Sequence, residues 1–339
     1  MIRKLLLFII LTFVTFWFAG AYLIKHKVTS VIKQLNTDNI KITYDKLVIS
    51  GFPKMWKIEI IAPQIRLIDH TSVHDLHIPK LLCLLDFSFK KMKLLLERDF
   101  YYQQLVKSQI KEYTIHAADN DNIIISLKLD QPLYQLSDQT QLTTIIKSFE
   151  LNNTSLTVSN NDQNIFDIND LGIFVAANLL ADSEDILLRM KAVYKSKNET
   201  LNLNSAVIDF DALFKFIKNT DNTTLYNKGF TINNLHIGLE EAKVNLHGTM
   251  NLSKGKLPQG RFFVNLNNYN EIVDKLVPDN FIISKPILKK LITRAVSIDS
   301  NLNNSSNIII PNDAQFDIVF SEKGINIGSI NLLDLKGDN

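Results

Sequence analysis

The chain is poor in the residue types that mark most chemical sites. A single cysteine, Cys83, stands among 339 residues, so neither an internal disulfide nor a Cys-x-x-Cys pair can form. Its neighbours Leu81, Leu82, Leu84 and Leu85 make it a small core hydrophobe rather than a reactive thiol. Only 11 glycines are present, and they build no Gly-rich phosphate loop and no nucleophile elbow. Charge of one sign is also lacking: 37 basic residues meet 35 acidic ones, for a net charge of +2. That balance is no nucleic-acid footprint, which would need basic residues clustered in a stripe, and no nucleic-acid partner is expected. The basic residues are mostly lysine, and Asn and Ile are abundant, a compositional bias of an AT-rich genome rather than a sign of chemistry.

What is present is apolar. Hydrophobic residues make up 46% of the chain, enough for a large core in one long domain or two. One stretch, residues 5–24 (LLLFIILTFVTFWFAGAYLI), carries no charge, with Arg3 and Lys4 before it and Lys25, His26 and Lys27 after. At ~1.5 Å per residue such a helix spans a hydrocarbon core of ~30 Å. Ala19-Gly20-Ala21 has the small-x-small form of a signal cleavage site, yet the apolar run continues through Tyr22-Leu23-Ile24 and exceeds a usual signal core. The expectation is therefore an uncleaved single-pass inner-membrane anchor. Lysines on both sides leave the positive-inside count balanced, and export of the large following domain sets the expected orientation, with the bulk of the chain periplasmic. Val28, Val31, Ile32 and Leu35 continue the helix to a break at Asn36-Thr37-Asp38, which divides the chain into an anchor with its extension (1–35) and a β-rich domain (36–339).

Beyond residue 36 the dominant period is two. Ile40, Ile42 and Tyr44 alternate, the Ser50-Gly51-Phe52-Pro53 turn follows, and a partner strand starts at Trp56. Residues 80–96 read as strands, and 99–102 are ambiguous. Ile123, Ile125, Leu127 and Leu129 alternate, as do Ile186, Leu188, Met190, Ala192 and Tyr194. Polar clusters about every ten residues punctuate these runs, as in a meandering antiparallel sheet. Helices are expected over 209–218, from Phe210, Leu213, Phe214 and Ile217, over 270–276, and over 285–298 with Ser284 as N-cap and Pro286 in the first turn. Phe316, Ile318 and Phe320 open a closing hairpin that turns at residues 321–324. The fold class is thus α+β, predominantly antiparallel β.

Two segments carry a family resemblance. Residues 44–53 (YDKLVISGFP) with Ile58-Glu59-Ile60, and residues 248–252 (GTMNL) with 257–262 (LPQGRF) and the closing hairpin, resemble an alphaproteobacterial envelope family known as domain of unknown function 2125. Residues 81–231 match it in pattern only. The resemblance implies a distant likeness to AsmA-type inner-membrane-anchored periplasmic proteins, in which a long curved sheet presents an apolar face to lipid. It brings no catalytic residues with it.

The candidate metal constellation is His70, His74 and His77 with Asp69 and Asp75, but in a strand His77 points away from the other two, and a polar surface turn explains the segment. His116, His236 and His247 stand alone in strand-like contexts. No cofactor is expected. The dense apolar faces read either as an ordinary core beneath the helices or as a groove for acyl chains, and the residues expected to line such a groove are Ile125, Leu127, Ile186, Leu188, Met190 and Leu246. The leading expectation is a non-enzymatic lipid-binding or envelope-maintenance protein with inner-membrane lipid as partner. The alternatives are a scaffold that docks an envelope protein and a metal-dependent hydrolase at the histidines.

Overall fold

The structure is a computed structural model. It describes residues 2–331 apart from 52–54, 70, 107–108, 118–121, 133–134, 136–145, 162, 180–182, 198–202, 219–224, 254–256, 278–283, 298–311, 323 and 329. Twenty strands and three helices lie among the described residues, and every described strand pairing is antiparallel. The chain divides into two compact units, Met1–Asp167 and Ile168–Asn339.

The first unit opens with helix α1 (Ile2–Leu35). The strands β1 (Ile40–Thr43), β2 (Lys46–Ser50), β3 (Trp56–Ile61), β4 (Gln64–Ile68), β5 (Ser72–His77) and β6 (Lys80–Leu85) follow. Then come β7 (Lys91–Leu96), β8 (Asp99–Val106), β9 (Gln109–Ala117), β10 (Ile123–Leu129) and β11 (Ile146–Asn160). Their register shows that consecutive strands are halves of longer ones. Lys46 faces Ile61 and Thr43 faces Gln64, one unbroken register for β1–β2 against β3–β4. The same holds for β3–β4 against β5–β6, where Gln64 faces His77 and Trp56 faces Leu85. The interruptions have a local cause. Ala62 takes a left-handed φ of 50° just before Pro63, and Pro79 stands opposite. Each proline lacks an N–H but still accepts, Pro79 from Ala62 N–H at 2.9 Å and Pro63 from Ile78 N–H at 3.0 Å, so the ladder crosses the break. The result is an up-and-down meander with the turns after Ser50, Leu85 and Leu129 at one end and those after Ile68 and Val106 at the other.

Helix α1 lies along this sheet. At its C-terminal end the Asn36 carboxamide clamps Ile42, donating to its carbonyl at 3.2 Å and accepting from its N–H at 2.5 Å. Farther back, Trp17, Ala21, Ile24 and Val28, spaced as one helical stripe, enter a core with Trp56, Ile58, Cys83, Leu85 and Leu129. Ile24 is 3% exposed and Trp56 1%. Gly20 makes the approach possible, since a Cβ there would lie 2.7 Å from Trp56 Cζ2. Among the described residues no helix is long and apolar enough to cross a membrane. Before Trp17, only Thr12 and Thr15 of α1 have described side chains.

Strand β12 (Gln163–Leu179) carries the chain from the first unit into the second. There β13 (Ser183–Ser196), β14 (Ser205–Lys218), β15 (Leu225–Leu239), β16 (Ala242–Asn251) and β17 (Gln259–Asn267) lead to helices α2 (Tyr269–Leu276) and α3 (Lys285–Ser297). The strands β18 (Ala314–Ser321), β19 (Gly324–Ile327) and β20 (Ile330–Asn331) close the unit, and from β13 to β20 each strand pairs with the next in chain order. The expected helix over 209–218 is corrected: those residues belong to β14, paired on both sides. Ala206, Ile208, Phe210, Ala212, Phe214 and Phe216 supply an apolar face at period two, and ladder pairing with two neighbours outweighs the weaker helical stripe in the same residues. The other two helices stand where the sequence places them. Ser284 precedes α3 and its carbonyl accepts the first helical bond, from Leu288 N–H at 2.9 Å.

Candidate functional site

Residues directly opposite in an antiparallel ladder share a face. Applied to the first unit, the register gives a row Ile49, Ile58, Cys83, Leu94, Ile125 and Leu151, and beside it a row Trp56, Leu85, Met92, Leu127 and Phe149. Both rows are wholly apolar. The reverse face is mixed: Lys57, Lys93, Ser126 and Glu150 share a row with Leu84, and Glu59, in a row with Leu82, Leu95 and Ile124, sits between Lys57 at 3.3 Å and Lys80 at 3.2 Å. Those two lysines hold the Glu59 carboxyl below its ordinary range, Lys80 the more strongly. Ile125 and Leu127 thus lie on the apolar face, both half-buried.

The second unit repeats the arrangement in three rows, each across six strands. One row runs Ile186, Phe214, Phe230, Met250, Gly260 and Phe320. The next runs Leu188, Ala212, Ile232, Gly248, Phe262 and Ile318, and the third Met190, Phe210, Leu235, Leu246, Val264 and Phe316. Four of the six expected lining residues, Ile186, Leu188, Met190 and Leu246, therefore share one face. A bulge between Ile232 and Leu235 keeps both on it although they are three apart in sequence. Asn233, extruded at the bulge, donates to Asp211 on the polar side at 2.7 Å, and Arg189 donates to the same carboxylate at 2.8 Å.

Helices α2 and α3 cover one end of this face. Tyr269, Ile272, Val273 and Ile292 pack on Leu239, Ala242, Val264, Leu266 and Ala314. The Tyr269 hydroxyl meets Thr293 Oγ1 at 2.8 Å and ties the two helices together. Lys275 on α2 reaches Glu240 at 2.5 Å and Glu271 at 2.8 Å, which raises the lysine's pKa. Leu246 packs against this covered cluster. Ile186, Leu188 and Met190 do not belong to it, and neither do Phe210, Phe214, Phe230, Phe262 or Phe320. These phenylalanines were not foreseen as lining residues. Phe214–Phe230 and Phe230–Phe262 sit at 6.0 and 5.9 Å between ring centroids, and Phe262–Phe320 at 6.2 Å edge-on. The Phe230–Phe262 contact bridges β16 at Gly248, where a Cβ would come within 2.8 Å of the Phe262 ring. The available signal was the period-two apolar run of β14, masked by its overlap with a helical stripe.

The histidine segment is committed to other contacts. His70 lies outside the described residues. His74 Nε2 meets Ser72 Oγ at 2.7 Å and its Nδ1 meets the Tyr102 hydroxyl at 2.6 Å, so both ring nitrogens are engaged. His77 meets Gln64 at 3.1 Å, and Asp75 holds Arg66 in a two-pronged pair at 2.7 and 3.1 Å. No group of three metal-ligating side chains occurs among the described residues. In the Ser72–His74–Tyr102 chain a phenol orients the imidazole, where a nucleophilic triad uses a carboxylate. Nearby, a cleft of about 460 Å³ is lined by His77, Tyr101, Gln103, Glu112, Thr114 and Asn161 among others, with Gln103 donating to Glu112 at 2.7 Å. Cys83 is buried, and desolvation pushes its thiol up to about 12.

Compared with known proteins, the chain matches no family model, no curated protein and no solved structure.

Proposed function

We propose that the chain is an N-terminally anchored protein of a bacterial envelope that holds acyl chains on the apolar sheet face of its second unit, without an enzymatic step. The observation that carries this reading is the half-buried apolar patch of Ile186, Leu188 and Met190 with Phe210, Phe214 and Phe230, outside the cluster that α2 and α3 cover. A face with no charged side chain in three successive rows suits a ligand without polar requirements along its length, which is the chemistry of an acyl chain. The uncharged run at residues 5–24 supports a membrane location and supplies the source of such chains. The likeness to AsmA-type and DUF2125 envelope proteins points the same way and rests on residues 44–53, 58–60, 248–252 and 257–262 and the closing hairpin alone; export of the domain to the periplasm belongs to that reading.

The test uses the full chain, because deleting residues 1–35 would remove Trp17, Ile24 and Val28 from the first unit's core. The purified chain in amphipol is photolabelled with a diazirine fatty acid and the adducts are mapped by mass spectrometry. Adducts on Ile186, Leu188, Phe214 or Phe230 that palmitate competes away, and that are lost in Leu188→Asp with circular dichroism unchanged, are expected. Adducts confined to α1, or indifferent to palmitate, would sink the reading.

A further inference from the structure

We propose that the turn end of the first unit's sheet, carrying Met55 and Phe87, is seated in the headgroup layer of the bilayer that holds α1. This rests on the anchored reading above and adds where the domain meets the membrane. An uncharged helix needs ~20 residues to cross ~30 Å of hydrocarbon, and residues 5–24 are that many. Yet one stripe of residues 17–28 is packed into the sheet core, through Trp17, Ala21 and Ile24 and through the Gly20–Trp56 contact. The uncharged run that precedes this stripe in sequence, residues 5–16, rises ~18 Å, which is ~12 Å less than the span. The helix can complete a crossing only if the part of the sheet beside Trp17 and Ile24 enters the interface, helped by local thinning of the bilayer.

The topology says which part of the sheet that is. From Asn36, clamped to Ile42 at the start of the first long strand, α1 runs back along the sheet to Gly20 against Trp56, the first residue of β3. Trp56, Leu85 and Leu129 all stand at the end that bears the turns after Ser50, Leu85 and Leu129. Among the described residues, that end exposes two large apolar side chains. Met55, beside Trp56, is 41% exposed, and Phe87 at the tip of the β6–β7 turn is 49% exposed. The turn holds Phe87 outward by its own bonds. The Asp86 carboxylate accepts from Ser88 Oγ at 2.7 Å and from the N–H groups of Lys91 and Lys90 at 3.1 and 3.2 Å. Phe89, at a left-handed φ of 56°, turns back into the core. Lys90 and Lys91 flank the tip, exposed and placed for anionic headgroups. On α1 the side away from the sheet shows Phe18, Tyr22 and Leu23, 61%, 69% and 58% exposed, followed by Lys25 and Lys27. Aromatics and then lysines at one level are the pattern of a membrane–water boundary. Leu67, Leu105 and Ile110 are exposed at the opposite end as well, so the contact of α1 with Trp56, rather than apolar exposure alone, selects this edge.

Depth measurement by spin labelling tests the placement. The full chain, with buried Cys83 left in place, carries a nitroxide at Phe87→Cys, Met55→Cys or Thr71→Cys and is reconstituted in nanodiscs of phosphatidylcholine and phosphatidylglycerol in equal amounts. Thr71, exposed in the turn after Ile68, reports the opposite end of the sheet. Labels at 87 and 55 are expected to collide with oxygen in preference to a nickel chelate, with nickel accessibility several-fold below that at 71. Equal, water-like nickel accessibility at all three positions in a chain that stays in the disc would overturn the docked edge while leaving the anchor intact. A chain that washes out of the disc at alkaline pH would overturn the anchored reading, and this placement with it.

Discussion

At the scale of single residues, the first unit turns on the contact between α1 and Trp56. Trp56→Ala removes a side chain that is 1% exposed at the meeting of helix and sheet, and the expected loss is ~3–5 kcal/mol in denaturant unfolding. Gly20→Val places a Cβ 2.7 Å from Trp56 Cζ2 and is expected to cost ~1–3 kcal/mol, because a ring packed on all sides cannot yield. Cys83 follows from the same burial. A thiol pushed up to about 12 stays protonated at neutral pH, so the native chain is expected to resist a thiol-reactive dye that the unfolded chain takes up at once. Asp86 has a pH signature. Burial opposes its ionisation, but the Ser88 hydroxyl and the N–H groups of Lys91 and Lys90 outweigh burial and keep the carboxyl below its ordinary range. A depressed pKa contributes stability above the unfolded value, near ~4, that is lost as pH falls through the folded value. Asp86→Asn should therefore flatten the acid limb of the melting temperature measured from neutral pH downward.

Among the elements, β14 is the instructive case. Phe210, Leu213, Phe214 and Ile217 fit a helical stripe, and Ala206 through Phe216 fit a strand, so local pattern leaves both open. The ladder partners decide, since β13 pairs on one side and β15 on the other. The two readings differ in a measurable way. In the strand Ala212, 0% exposed, points to the apolar face, and Leu213 points to the other. Ala212→Asp is expected to unfold the second unit, with a loss above ~3 kcal/mol, whereas Leu213→Asp should cost no more than ~1–2 kcal/mol. A helical 209–218 would make Leu213→Asp the more damaging change, and chemical denaturation distinguishes the two. The bulge at Asn233 was illegible for a related reason. A one-residue slip in phase looks like noise in a period-two pattern until a neighbouring strand shows that both sides remain apolar.

On the scale of the whole molecule, the proposed acyl site has a thermodynamic mark. Each methylene removed from water contributes ~0.8 kcal/mol, so affinity for saturated fatty acids should rise roughly fourfold per added carbon until the apolar rows are filled, and then level off. Competition against the photolabel across a chain-length series measures both slope and plateau. A flat series would mean that the headgroup, rather than the chain, is recognised.

The sequence by itself determined what depends on local order: an uncharged segment of twenty residues, strands with one apolar side, and both helices of the β-rich region, although it also suggested a third, over 209–218, that is a strand. It also placed Ile186, Leu188, Met190 and Leu246 on one apolar face, because alternation survives regular pairing. Tertiary structure alone decided that Trp17, Ala21 and Ile24 of the apolar segment enter a sheet core, that both nitrogens of His74 are engaged, and that α2 and α3 cover one end of the second apolar face while Phe210, Phe214 and Phe230 stay half-buried. The reason is physical. Periodicity reports which side chains can leave water together, but which surfaces meet, and which stay wet, depends on contacts between residues far apart in the chain.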